Sequence, residues 1–187
     1  KMQIEENVET KKRYKVKKVN TGCPHCFNTL KNEYPDFGLN LEVKHPSEVI
    51  EELLDEGKLS PKENGEFSKD RLTYHDSCYL GRANKIYEAP RDIIKELDID
   101  LVEMKNAKSN GLCCGAGGAQ MFKEPEKGDK DVNILRTEEA LETGSNIIAV
   151  ACPFCNIMMS DGVKELDKSK GTLVLDIAQL VAKAEEF

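Results

Sequence analysis

Seven cysteines, at positions 23, 26, 78, 113, 114, 152 and 155, are the side chains of this 187-residue chain best suited to chemistry. Cys23-Pro24-His25-Cys26 and Cys152-Pro153-Phe154-Cys155 are C-x-x-C pairs, Cys113 and Cys114 are adjacent, and Cys78 stands alone. An odd number of thiols without a secretion signal is a poor disulfide framework. Thiols clustered in this way point to metal or redox chemistry. The full series runs Cys78-x34-Cys113-Cys114-Gly115-x36-Cys152-x2-Cys155. Thiolates in that number can hold an iron–sulfur cluster, and four of them can hold tetrahedral zinc. Ligand softness does not separate the two metals. Cys23 and Cys26 alone would also suit a thioredoxin-like dithiol, which leaves the other five without a role.

Residues around the cysteines fit a cluster site. Backbone N–H groups of the glycine-rich loop 111–118 and of a helix start can donate to sulfur. Gly115, Gly117 and Gly118 allow close approach of the backbone and positive φ. His75 can donate a hydrogen bond to sulfur or bind substrate, and as readily be a strand-end residue. His25 is expected beside the thiolates or exposed, and Asp76 is expected to cap the turn after it. Tyr79, Arg82 and Arg91 are candidates to line a cleft above the site, with packing or surface roles equally open. Met158 and Met159 read as core. Gly115-x-Gly-Gly lacks the lysine and context of a phosphate loop.

These residues must be positioned by alternating elements. Short β-branched runs at 16–19, 41–43, 72–74, 101–104, 147–151 and 173–175 read as strands. Helical periodicity covers 47–56, 131–142, 154–166 and 176–185, with Ser47, Asp131 and Asp176 as expected caps. The alternation predicts an α/β fold with a mostly parallel sheet, and cysteines at its strand ends. The charged segment 57–70 reads as an exposed loop.

A repeat is also visible. Strand, Cys-Pro-x-Cys, helix, strand and helix occur around Cys23 and again around Cys152, the cysteine pairs 129 residues apart. Carried back by that offset, counterparts of Cys78 and Cys113 fall before residue 1. The expectation is therefore an incomplete first unit over 1–60, a linker over 61–70 and a complete second unit over 71–187, in the C-terminal part of a longer protein.

The net charge of −7 argues against a nucleic-acid partner, and the basic stretch Lys11 to Lys18 reads as a solvated helix end running into a strand. No apolar run is long enough to span a membrane.

The cysteine series resembles the cysteine-rich CCG domain. That domain occurs in heterodisulfide reductase, in the glycolate oxidase iron–sulfur subunit and in related oxidoreductases. Tyr74-His75-Asp76-Ser77-Cys78-Tyr79-Leu80-Gly81-Arg82, Glu88-Ala89-Pro90-Arg91 and Gly115-Ala116-Gly117-Gly118 agree with it. The resemblance implies a noncubane [4Fe–4S] cluster on Cys78, Cys113, Cys114, Cys152 and Cys155. Cys23 and Cys26 would belong to a second, partial site. It further implies electron transfer with a flavoprotein or quinone-linked redox partner, or disulfide reduction at the cluster. The expected location is the cytoplasm, with any membrane contact made through partner subunits. A zinc-stabilised interaction module is the alternative.

Overall fold

The computed structural model describes residues 2–60, 67, 70–124, 128–167 and 171–184. Most of the expected linker 61–70 lies outside the described residues. The elements run α1 (Met2–Arg13), β1 (Lys18–Asn20), α2 (Pro24–Asn28), β2 (Glu42–Lys44), α3 (Pro46–Asp55), β3 (Arg71–Tyr74), α4 (Glu88–Glu96), β4 (Asp100–Leu101), α5 (Val132–Glu142), β5 (Ile147–Val150), α6 (Pro153–Leu166), β6 (Leu173–Asp176) and α7 (Ile177–Ala184). The expected α/β architecture is present. A two-stranded sheet pairs β1 with β2, a four-stranded sheet has the order β4-β3-β5-β6, and every strand pair is parallel.

All four residues of β5 are buried, as befits a central parallel strand covered on both faces. Ile147, Ala149 and Ala151 face one core with Leu72, Tyr74, Ile93, Ile94, Ile177 and Leu180. Ile148, Val150 and Cys152 face the other with Ala140, Met159, Val163, Cys114 and Cys155. Strand alternation thus sends α4 and α7 to one face and α5 and α6 to the other. Met159 is core, as its spacing suggests. α5 and α6 pack closely because Gly162 has no side chain. A Cβ there would lie 2.1 Å from Thr137 Oγ1. Gly162→Ala is expected to lower stability by about 1–3 kcal/mol through overpacking, measured by denaturant unfolding. An unchanged midpoint would refute the close contact.

The repeat is structural and longer than its cysteine motif. α1-β1-α2-β2-α3 has the same element order as α5-β5-α6-β6-α7. Val19 pairs with Val43 as Ile148 pairs with Val174. α1 also sits on the 3₁₀ turn Tyr34–Phe37, where Asn7 Nδ2 donates to Tyr34 Oη. Both Cys-Pro-x-Cys motifs begin a helix with cysteine at an extended N-cap and proline in the first turn.

The caps of the last helices match as well. His45, not Ser47, caps α3. His45 Nδ1 accepts from Ser47 N–H at 3.2 Å, and Glu48 reaches back to His45 N–H at 2.9 Å. In α7, Asp176 accepts from Ala178 N–H and Gln179 accepts from Asp176 N–H. Asp131 stands at the N-cap of α5 without a side-chain bond.

Burial lowers the His45 pKa from 6.5 to about 4. The unfolded chain therefore takes up this proton first as pH falls. The contribution is intact above pH 6.5 and lost towards pH 4, by at most about 3 kcal/mol. His45→Asn keeps a capping acceptor and removes the titration. The difference in unfolding free energy between wild type and variant should therefore change sharply over that window. A constant difference would contradict the burial argument.

Candidate metal centre

Three strand ends deliver the five cysteines of the second unit. Cys78 follows β3, Cys152 follows β5 at the N-cap of α6, and Cys113 and Cys114 arrive on the irregular segment after β4. Their thiols form one connected chain. Cys78 interacts with Cys113, Cys113 with Cys114, Cys114 with Cys155, and Cys155 with Cys152, all as free thiols. Cys114, Cys152 and Cys155 are buried and Cys78 and Cys113 half-buried, so the group opens on one side. Beside Cys113 lies a cleft of about 720 Å³ lined by Gly115, Gln120, Met121, Lys130, Val132 and Met158, among others.

The backbone around the sulfurs is a set of donors. Gly115 N–H donates to Cys113 Sγ at 3.3 Å, and Gly117 N–H also reaches Cys113. The N–H of Ala116 reaches Cys114, and those of Phe154 and Cys155 reach Cys152. Gly115 has φ +91°, and a Cβ there would lie 3.2 Å from Asn133 N. Gly118 and Ala119 are left-handed too, whereas Gly117 is not. Hydrogen bonds from Cys114 and Cys78 and the donor backbone lower the Cys113 pKa. Donation to Cys113 raises Cys78, and raises Cys114 to about 11. Hydrogen bonds from the Cys155 thiol and from the N–H groups of Cys155 and Phe154 lower the Cys152 pKa to about 7. The arrangement favours thiolate charge at Cys113 and Cys152.

Two arginines fix the irregular segment on which the adjacent cysteines arrive. His75 and Asp76 leave the end of β3 towards opposite faces of the sheet. On one face, Arg91 of α4 holds Asp76 with two bonds of 2.9 Å and holds Glu103. Asp76 also accepts from Lys108 N–H at 2.6 Å. On the other face, Arg136 of α5 donates to His75 Nδ1 at 3.0 Å, to Glu139 at 2.6 Å and to the Asn106 carbonyl at 2.9 Å. Glu139 accepts from Asn106 N–H. Asn106 and Lys108 therefore hang from two buried ion pairs, a few residues before Cys113. Two expectations are corrected here. Arg91 does not line the cleft, because Asp76 and Glu103 bury it, and Asp76 is a partner of Arg91 rather than a local cap. Tyr79 and Arg82 do border the site. Tyr79 stacks on His25, and Arg82 acts electrostatically on Cys78.

Cys23 and Cys26 form a separate pair, in contact with each other. His25 stands between that pair and the five. Its Nδ1 lies 4.0 Å from Cys23 Sγ, and its ring lies 4.2 Å from Tyr79 and 5.6 Å from Phe154. His25 and Phe154 are the same position of the two Cys-Pro-x-Cys motifs, so the two copies face each other. Asn84 bonds to Asn28 and Asn32 and ties the copies together beside this contact. Arg136, Glu139 and Glu103 were not singled out from the sequence. A basic residue at a buried helical position, Arg136, was the one signal available.

The spacing of these five thiols and the residues around them agree with a family model. Residues 72–160 match the CCG cysteine-rich domain. This segment is a CCG domain. Over 181 residues the chain is 41% identical to a probable iron–sulfur-binding oxidoreductase, FadF, of Bacillus subtilis, covering 96% of the chain and 25% of that protein. It is 41% identical over 192 residues to the EtfAB:quinone oxidoreductase of Syntrophomonas wolfei, covering 98% and 26%. Identity to one subunit of the dihydromethanophenazine:CoB–CoM heterodisulfide reductase of Methanosarcina barkeri is 35% over 183 residues, covering 95% and 43%. The chain thus spans about a quarter of the first two relatives and under half of the third. The CCG domain ends within α6, and the similarity to the relatives extends through the first copy as well. No helix among the described residues is long and apolar enough to cross a membrane.

Proposed function

We propose that this chain is the electron-transfer part of an iron–sulfur oxidoreductase, with Cys78, Cys113, Cys114, Cys152 and Cys155 holding a [4Fe–4S] cluster of noncubane type. The observation that carries the reading is the unbroken contact chain of five thiols gathered from three strand ends. Five thiolates are one more than a cubane takes. The donor set fits the group. The sulfurs are soft, mostly buried, and met by backbone N–H groups that offset negative charge. A cluster bound there would supply one-electron reduction and oxidation. The chain's own part is to hold the sulfurs, exclude water on the side of Cys114, Cys152 and Cys155, and leave the side of Cys78 and Cys113 open to exchange. The relatives' names support a flavoprotein or quinone-linked partner, and any membrane contact would come through such partners.

Strands equivalent to β3 and β4 would complete the β1–β2 pair, and with it a site for Cys23 and Cys26. The cleft beside Cys113 favours a second reading, disulfide reduction at the same site. Anaerobic preparation of the full-length protein, with iron and sulfide analysis and EPR, tests the proposal. Iron and sulfide in equal amounts are expected. Stoichiometric zinc in a colourless protein overturns it. Turnover of a small disulfide, lost in Cys114→Ser, would select the second reading.

A further inference from the structure

We propose that Arg136 locks His75 in one tautomer, so that His75 donates a hydrogen bond to the sulfurs of Cys114 and Cys155 and does not ligate metal. The inference rests on the reading of those cysteines as cluster ligands. A ring nitrogen of His75 and the Sγ atoms of Cys114 and Cys155 lie within 4.8 Å of one another. By donor type alone this is a three-ligand metal site. Arg136 decides otherwise. It is fully buried, and a guanidinium offers N–H donors and no acceptor. Its Nε–H points at His75 Nδ1 from 3.0 Å, while Glu139 and the Asn106 carbonyl hold its Nη1. His75 Nδ1 must therefore present a lone pair.

A neutral imidazole that accepts at Nδ1 carries its proton on Nε2. A protonated nitrogen has no lone pair to give to a metal. Ligation through Nε2 would drive the ring proton to Nδ1, directly against the Arg136 N–H. With Nδ1 taken by Arg136, Nε2–H is the ring's one remaining N–H donor, assigned to the neighbouring sulfurs of Cys114 and Cys155. His75 then relays the pull of a fixed cation to atoms that gain negative charge on reduction. Arg136 is a positioning residue in this arrangement, and its effect on the redox centre passes through His75.

Two measurements test this. Long-range ¹H–¹⁵N NMR of histidine-labelled full-length protein, before iron is loaded, should show His75 protonated at Nε2 and bare at Nδ1. The opposite tautomer, or an exchanging mixture, overturns the proposal. Arg136→Leu would leave Glu139 buried without its partner, so the decisive variants are at His75. In the iron-loaded protein, His75→Leu should reduce the ratio of reduced to oxidised centre about tenfold at a fixed potential, a shift of about 59 mV for one electron. His75→Gln should recover most of it, since its carbonyl can accept from Arg136 while its amide donates to sulfur. Equal potentials in wild type and His75→Leu, or a strongly coupled nitrogen in pulsed EPR of the wild type, also overturn it. Should the protein bind neither iron nor sulfide, the cluster reading falls, and the NMR experiment still decides the tautomer.

Discussion

Serine at position 114 or 155 is expected to remove the iron from this protein while the polypeptide stays folded. Cys114 and Cys155 are the middle links of the sulfur chain, 5% and 2% exposed. Each contacts thiols on both sides. Losing either breaks the link between the Cys78/Cys113 side and Cys152. A serine hydroxyl is a harder and shorter ligand than a thiolate, and iron–sulfur clusters depend on thiolates. Iron per chain should fall from on the order of four atoms to below about one, with the cluster EPR signal gone. Far-ultraviolet circular dichroism should barely change, because oxygen replaces sulfur without leaving a cavity. Cys26→Ser is the internal control. Its sulfur is exposed and contacts Cys23, not the five, so iron at the main site should persist. Full iron retention in Cys155→Ser would show that the connected thiols are not the ligand set.

Arg91→Met should destabilise the fold more than Gly162→Ala or either serine variant. Arg91 and Asp76 are 7% and 3% exposed at their side chains and share two hydrogen bonds. Removing one member strands a buried carboxylate, a loss of about 3–5 kcal/mol. Two carboxylates are affected, since Glu103 also leans on Arg91. The double variant Arg91→Met/Asp76→Asn should recover part of the loss, because the remaining amide carries no charge and can still accept from Lys108 N–H. Urea denaturation of the four proteins of that cycle measures the coupling. A single-variant loss below about 1 kcal/mol would place the pair among surface-like ion pairs and refute its role as an anchor. Iron retention should drop in the single variant too, since Asp76 lies two residues before Cys78 and holds the backbone that leads to Cys113.

What could be read from the amino-acid order was the part carried by local pattern. Strand and helix positions followed from periodicity, and the cysteine spacing drew attention to the five thiols that the fold brings into contact. The duplicated Cys-Pro-x-Cys unit was visible in its motif. Its extension to α1 was hidden, since Met2–Arg13 and Val132–Glu142 share a place in the fold but little chemistry. α4 was missed because Pro90 lies in its short sequence, although a proline is tolerated in a first turn. Histidine is an unusual cap, so Ser47 drew the assignment that belongs to His45. The two arginine anchors were out of reach. His75 and Arg136 are 61 residues apart in the chain. Their meeting depends on which face of the sheet α5 covers, and no local signal encodes that.

The two arginine anchors also bear on how such a protein is made. The frame around the thiols is set by parallel strands, two apolar cores and buried ion pairs, none of which needs an inorganic partner. In small zinc-dependent domains, by contrast, metal capture and folding are a single event. Here the expectation is that the polypeptide reaches its final shape first and is loaded afterwards, so that circular dichroism of the metal-free protein should match that of the loaded one. A maturation factor would meet a finished client with one open door, at Cys78 and Cys113, and oxidative loss of the cargo would leave a scaffold ready for repair.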